Sequence, residues 1–224
     1  MDKRLFMVSL GPGDIDLITI KALKALKNSN AICVPTKSSD NSFKKSLTHK
    51  IITKLMKEHN FKKKIIPVFT PMHYRVEDWQ NQVNILYKAI EEHKKVSFVT
   101  LGDSAIYSTV YYLLDIIKVQ NPKLYCQSEV IPGITSFSEA SARVKKPLCI
   151  GDSKLEITPL NSSKDLPKTT VYMRPKIGMN TDYIKESGKI YTFENLNYKN
   201  EDITPYKKQK VSKYMTLFID FFKY

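Results

Sequence analysis

Val96-Ser-Phe-Val-Thr-Leu-Gly-Asp-Ser-Ala-Ile-Tyr-Ser-Thr109 decides how the rest of the chain is read. Val96 to Leu101 is a short β-branched and aromatic run after the polar patch His93-Lys94-Lys95. Such a run predicts a strand buried on both faces of a parallel sheet. Gly102 stops it, Asp103 and Ser104 follow, and an apolar helical pattern begins at Ala105. In an α/β sheet, ligands gather where the carboxyl end of a strand feeds a helix N-terminus. Exposed backbone N–H groups and the positive end of the helix dipole face that crevice. Asp103 is then an acid placed for a cationic amine or a ribose hydroxyl. Alternatively, Asp103 or Ser104 only caps the helix. The stretch alone leaves both readings open.

Upstream, Arg4 to Leu10 predicts a first strand, ended by the rigid turn Gly11-Pro12-Gly13-Asp14. Asp14 or Asp16 can cap the following helix, whose apolar face is Leu17, Ile20, Leu23 and Leu26. The turn is neither a dinucleotide fingerprint nor a P-loop. Position 16 is Asp where the third glycine would stand, Pro12 removes an N–H, and no Gly-Lys-Ser/Thr ending follows. Strands are predicted at Ala31 to Pro35 and Lys64 to Phe69, where Pro67 implies an edge or a strand end. Helices are predicted at about Ser46 to His59, at Val76 to Lys94, and from Ala105 to about Val119. This alternation implies a right-handed, mostly parallel sheet.

Downstream, Gln120 to Gln127 with Asn121-Pro122 reads as a linker. Glu129-Val-Ile-Pro-Gly-Ile-Thr-Ser-Phe137 then repeats the first logic: short strand, Pro132-Gly133 turn, and a helix capped by Thr135 or Ser136. Leu155 to Leu160, Thr169 to Met173, Lys189 to Glu194 and Met215 to Phe222 are further strand candidates, with only short helical patterns between them. A mixed second sheet is expected, with domains at 1–122 and 123–224.

The 224 residues, 42% of them hydrophobic, suffice for one large or two modest α/β domains. No apolar run approaches the roughly 20 residues that span a bilayer. The apolar stretch before Gly11 is too short for a signal peptide, so a cytoplasmic location is expected. Cys33, Cys126 and Cys149 sit in apolar stretches and read as reduced core or near-core thiols without zinc spacing. His49, His59, His73 and His93 form no metal-ligand pair, although His73, in a predicted loop, can touch substrate. No protein-bound metal is expected. The net charge of +14 favours a polyanionic partner. The lysines are scattered and no aromatic-rich RNA motif accompanies them, so nucleic acid is disfavoured.

Three strand-to-turn sites now stand in order: Gly11-Pro12-Gly13-Asp14, Gly102-Asp103-Ser104 and Pro132-Gly133-Ile134-Thr135-Ser136. Their order and separations resemble the tetrapyrrole (corrin/porphyrin) methylase family over essentially the whole chain. Ser9 to Leu23, Thr100 to Thr109 and Val130 to Phe137, continued by Ile150 to Leu160, look most like precorrin-2 carbon-20 methyltransferases. The resemblance implies a two-domain α/β enzyme of the class III methyltransferase fold, usually a homodimer. S-adenosylmethionine (AdoMet) would lie in the cleft between the domains. By the match of motifs, Pro12 would line the substrate trough. Gly102, Asp103, Ile106 and Tyr107 would hold the methionine and ribose portions of AdoMet. Thr135 and Ser136 would contact it from the second domain, Met173 would pack near the adenine, and Thr216-Leu217 would add a last-strand contact. Met173 and Tyr107 also suit a plain core, and Thr135 a plain cap. The chain departs from the family pattern at Ser104, where proline is usual, at Arg174-Pro175, and in a shortened stretch from Lys176 to Tyr198.

The chemistry this implies is methyl transfer to the carbon-20 meso position of precorrin-2 or its cobalt-loaded form. A protein contributes alignment and exclusion of water to such a displacement. The substrate is an anionic tetrapyrrole, and Arg75 and lysines of the Thr36 to Lys45 loop are candidate anchors for its carboxylates. No residue is assigned as a catalytic base. Two alternatives are an AdoMet enzyme of the same fold acting on RNA ribose or a modified protein residue, and a non-catalytic binder of AdoMet or tetrapyrrole.

Overall fold

The structure is a computed structural model that describes residues 3–40, 42–44, 46–71, 75–159, 166–182, 184 and 188–222. The chain forms two compact units, Met1–Leu155 and Glu156–Tyr224.

The first unit contains strands β1 (Arg4–Ser9), β2 (Ala31–Thr36), β3 (Lys64–Phe69), β4 (Lys95–Thr100) and β5 (Ser128–Ile131). Its helices are α1 (Ile20–Asn28), α2 (Leu47–Glu58), α3 (Val76–His93), α4 (Val110–Gln120), α5 (Pro122–Cys126) and α6 (Ser136–Val144). The strands lie in the order β3-β2-β4-β1-β5, and every pairing is parallel. β3, with its Pro67, is an edge strand as expected. Alternate residues of each strand feed two cores. Leu5, Met7, Val96 and Phe98 pack with α3 and α4, whereas Phe6, Val8, Leu10, Ile32 and Val34 pack with α1 and α2. A sheet covered on both faces places its loops at the strand ends, so the carboxyl edge is left for ligands.

Several expectations are corrected. The helix after Gly102 begins at Val110 and not at Ala105, because Asp103 folds the intervening residues into turns and Tyr107 takes a left-handed φ of 48°. The expected linker at 120–127 is the end of α4 followed by α5. Asn121 caps α5 by accepting the Leu124 N–H at 3.0 Å, and Leu124 is buried. Position 122/123 therefore lies inside the first unit, and β5 pairs with β1 beyond it. Asp14 caps a short 3-10 helix (Ile15–Leu17), while Thr19 caps α1 and Ile20 faces solvent.

The second unit holds β6 (Thr170–Tyr172), β7 (Lys189–Glu194), β8 (Asp202–Pro205) and β9 (Thr216–Phe221) in the order β6-β9-β7-β8. Every pairing is antiparallel, so the sheet is not mixed. β7 and β8 are consecutive and pair as a hairpin, whereas β9 returns from further along the chain to pair with both β6 and β7. Ile184, Ile190, Val211 and Phe218 make its small core. The expected strand from Leu155 is not formed over 155–159, where Leu155 and Ile157 are exposed in irregular chain; residue 160 lies outside the described residues. No described helix is long and apolar enough to cross a membrane.

Cys33 is buried, and burial pushes its thiol up to about 12. Cys126 and Cys149 are exposed, contrary to expectation, because α5 and the irregular segment after α6 leave them at the surface. In the folded chain at about pH 8, a thiol reagent is expected to modify Cys126 and Cys149 rapidly and Cys33 only after denaturation. Three fast-reacting thiols would contradict the burial of β2.

Candidate active site

The first two turns are hydrogen-bonded to each other. The Gly11 N–H donates to the Gly102 carbonyl at 3.1 Å, and the Gly102 N–H donates to the Gly11 carbonyl at 2.7 Å. This reciprocal bridge is antiparallel in type and follows directly on the parallel β1–β4 pairing, beyond Leu10, whose N–H donates to the Thr100 carbonyl at 2.9 Å. The third turn packs onto both. A methyl group at Gly133 would lie 2.7 Å from Ser9 Cβ, 2.9 Å from the Gly102 carbonyl oxygen and 3.3 Å from the Gly11 nitrogen. Three segments far apart in sequence thus converge at the carboxyl edge of β4, β1 and β5.

Gly102 has φ +73°, and a methyl group there would meet nothing within 4 Å. The backbone of this turn is therefore open to a ligand. Asp103 is half-buried, and its Oδ1 accepts the Ala105 N–H at 3.1 Å. Its negative charge is felt by Tyr111 on α4. Partial burial raises the Tyr111 phenol above its ordinary range, and Asp103 and Tyr125 add to the shift. Ile106 is half-buried and Tyr107 is 65% exposed. Ser104 is buried: its N–H donates to Ser9 Oγ at 2.9 Å, and its own Oγ has no partner among the described residues.

Pro12 is half-buried in the first turn. Thr135 caps α6, accepting the Ser138 N–H at 3.3 Å, and Ser136 is the exposed first residue of that helix. The structure thus brings Pro12, Gly102, Asp103, Ile106, Tyr107, Thr135 and Ser136 to turns and helix starts of one unit. Met173 belongs to the other unit, just after β6, and is exposed. Thr216 is buried in β9, and its hydroxyl donates to the Lys213 carbonyl at 2.7 Å. Lys37, Lys44 and Arg75 are exposed, while His73 and Lys45 lie outside the described residues. No described group of His, Cys, Asp or Glu is arranged to hold a metal ion.

The residues present fit AdoMet by three features. Gly102 leaves space where a side chain would intrude, Asp103 offers a carboxylate, and Ser104 carries a buried hydroxyl without a partner. The family model of the tetrapyrrole (corrin/porphyrin) methylases matches residues 4–186. The chain belongs to that family. Among methylase relatives, a Methanocaldococcus jannaschii protein named "Probable cobalt-precorrin-2 C(20)-methyltransferase" is 31% identical over 207 residues, covering 86% of this chain and 85% of that one. A Salmonella typhimurium protein named cobalt-precorrin-2 C(20)-methyltransferase is 29% identical over 158 residues, 70% of this chain and 63% of its own. The crystal structure of a methylase named cobalt precorrin-4 methyltransferase aligns with 96% of this chain and 93% of its own, at a TM-score of 0.52 and 17% identity, and supports the fold.

In the sequence Ser9 carries no role of its own, and Gly133 stands only as a turn residue. The available signal was a lone serine closing an otherwise apolar strand, directly before Leu10-Gly11.

Proposed function

We propose that the chain is an AdoMet-dependent C-methyltransferase that methylates carbon-20 of a precorrin-2-type tetrapyrrole in corrin-ring biosynthesis. The observation that carries this is the 31% identity with a relative of that name over 86% of the chain. The convergence of the Gly102-Asp103 turn with Gly11 and Gly133 supports it. Both named relatives are cobalt-precorrin-2 enzymes, so the cobalt-loaded substrate is the form to offer first.

When bound, AdoMet supplies an electrophilic methyl group on a sulfonium. In this reading Asp103 holds the ammonium group or ribose hydroxyls of AdoMet, and Gly102 lets its backbone approach. Ile106 and Tyr107 flank the methionine and ribose portions of AdoMet. Thr135 and Ser136 present the start of α6, where backbone N–H groups favour electron-rich ligand atoms. Pro12 lines the tetrapyrrole trough, and Met173 keeps the adenine contact implied by the family resemblance. Exposed Lys37, Lys44 and Arg75 are candidate partners for substrate carboxylates. The homodimer and the cytoplasmic location belong to the same proposal.

The test pairs calorimetry with a labelled-methyl assay. One AdoMet is expected per chain, and label is expected to reach cobalt-loaded precorrin-2. Binding of ATP or NADH in place of AdoMet would overturn the reading. Label reaching RNA or protein, or AdoMet binding without any transfer, would favour the alternatives.

A further inference from the structure

Position 104, in the turn after β4, is a serine. A proline ring would fix φ at this point of the turn and has no N–H. Here the N–H is present, buried, and bonded at 2.9 Å to Ser9 Oγ. Ser9 and Ser104 are 0% and 1% exposed, so neither group has water as a substitute partner. Ser9 also meets the third turn: a methyl group at Gly133 would lie 2.7 Å from its Cβ. One residue at the end of β1 therefore touches the turn after β4 and the turn after β5. The bonded N–H is that of the residue after Asp103, two residues beyond the open backbone of Gly102.

We infer that Ser9 is a positioning residue for the cofactor: its Oγ, by accepting the Ser104 N–H, holds the Gly102-Asp103 turn in the geometry that receives AdoMet. The inference rests on the AdoMet reading above. It further requires that residues 9 and 104 be energetically coupled, with a sign that ordinary structural damage does not produce.

Ser9→Ala leaves a buried donor unpaired, and the AdoMet affinity is expected to fall about tenfold. Ser104→Pro in the Ser9 background sets a ring carbon against the Ser9 hydroxyl and is expected to weaken AdoMet by a similar factor. In the double variant Ser9→Ala/Ser104→Pro the orphan donor is gone and the ring supplies the rigidity. Its affinity is expected to return to within about threefold of the unmodified chain. Two independently damaging changes would instead multiply.

Binding is measured by calorimetry with S-adenosylhomocysteine, so turnover is not needed. Hydrogen exchange of the Ser104 amide is followed in the unmodified chain and in Ser9→Ala. Faster exchange in Ser9→Ala, with a loss of affinity that the second change reverses, supports the inference. Unchanged affinity in Ser9→Ala, or a double variant worse than either single one, overturns it. Should Ser9→Ala fail to fold, Ser9→Cys, with its weaker acceptor, is expected to give an intermediate loss; unchanged affinity there overturns the inference equally. If the unmodified chain binds neither AdoMet nor its product, the functional reading falls and the cofactor role of Ser9 falls with it. Slow exchange of the Ser104 amide would then still report the bond itself.

Discussion

Gly133→Ala is expected to lower the melting temperature by about 2–12 °C and turnover by about a hundredfold. The added methyl group would come within 2.7 Å of Ser9 Cβ and 2.9 Å of the Gly102 carbonyl oxygen, closer than packed atoms tolerate. Overpacking of this kind costs about 1–3 kcal/mol, and for a chain of this length each kcal/mol is worth about 2–4 °C. The turns must move apart by a sizeable fraction of an ångström, and displacements approaching 1 Å at a site cost about a hundredfold in rate. Gly102→Ala provides the contrast. No atom lies within 4 Å of its added methyl group, so the strain comes only from its φ of +73°, worth about 1–3 kcal/mol. Its methyl group would stand in the space read here as the cofactor's, so binding should suffer more than stability. Differential scanning fluorimetry and calorimetry check both variants. Melting and turnover of Gly133→Ala indistinguishable from the unmodified chain would refute the close packing of the three turns.

Asp103→Asn is expected to weaken AdoMet binding by about ten- to a hundredfold with the melting temperature unchanged. A hydrogen bond to a charged partner is worth about 1.5–3 kcal/mol, and each 1.4 kcal/mol is about tenfold in affinity. Asp103 Oδ1 accepts the Ala105 N–H, a local role that an asparagine carbonyl fills equally well. The substitution therefore separates holding the turn from holding a ligand. Were Asp103 only a turn residue, Asn would serve nearly as well, and unchanged AdoMet affinity in the folded variant would remove Asp103 from the site.

The first unit was largely legible because its physics is repetitive. Leu5, Met7, Val96 and Phe98 on one face, with Phe6, Val8 and Ile32 on the other, make continuous apolar runs that only a doubly covered strand requires. The carboxyl-edge turns could be picked out because Gly11, Gly102 and Gly133 interrupt those runs. Illegible were the places where one side chain's hydrogen bond overrides a pattern. The apolar residues from Ala105 look helical, yet Asp103 and the left-handed Tyr107 delay the helix to Val110. Ser9 looks like a strand's polar end, and only its distance to Ser104 reveals the bond. In the second unit β8 is short and exposed on every residue, and its pairing with β7 leaves no alternating pattern. Leu155 and Ile157 show the reverse case, an alternating pattern that forms no strand over 155–159. Cys126 and Cys149 lie in apolar company without being buried, since neighbours in sequence need not be neighbours in the core.

The strand order of the second sheet has a consequence for how the chain is made. β9, the last strand in sequence among those described, lies between β6 and β7. On a ribosome, every strand of the first sheet has been synthesised once Ile131 is joined. β6 must wait, because among the described residues its one strand partner is β9. β7 and β8 can meet as a hairpin, but an isolated hairpin is marginal in water. A nascent chain halted before Thr216 therefore carries a complete first sheet followed by strand edges with nothing to pair. Such edges invite aggregation and mark the unfinished product for chaperones and proteases.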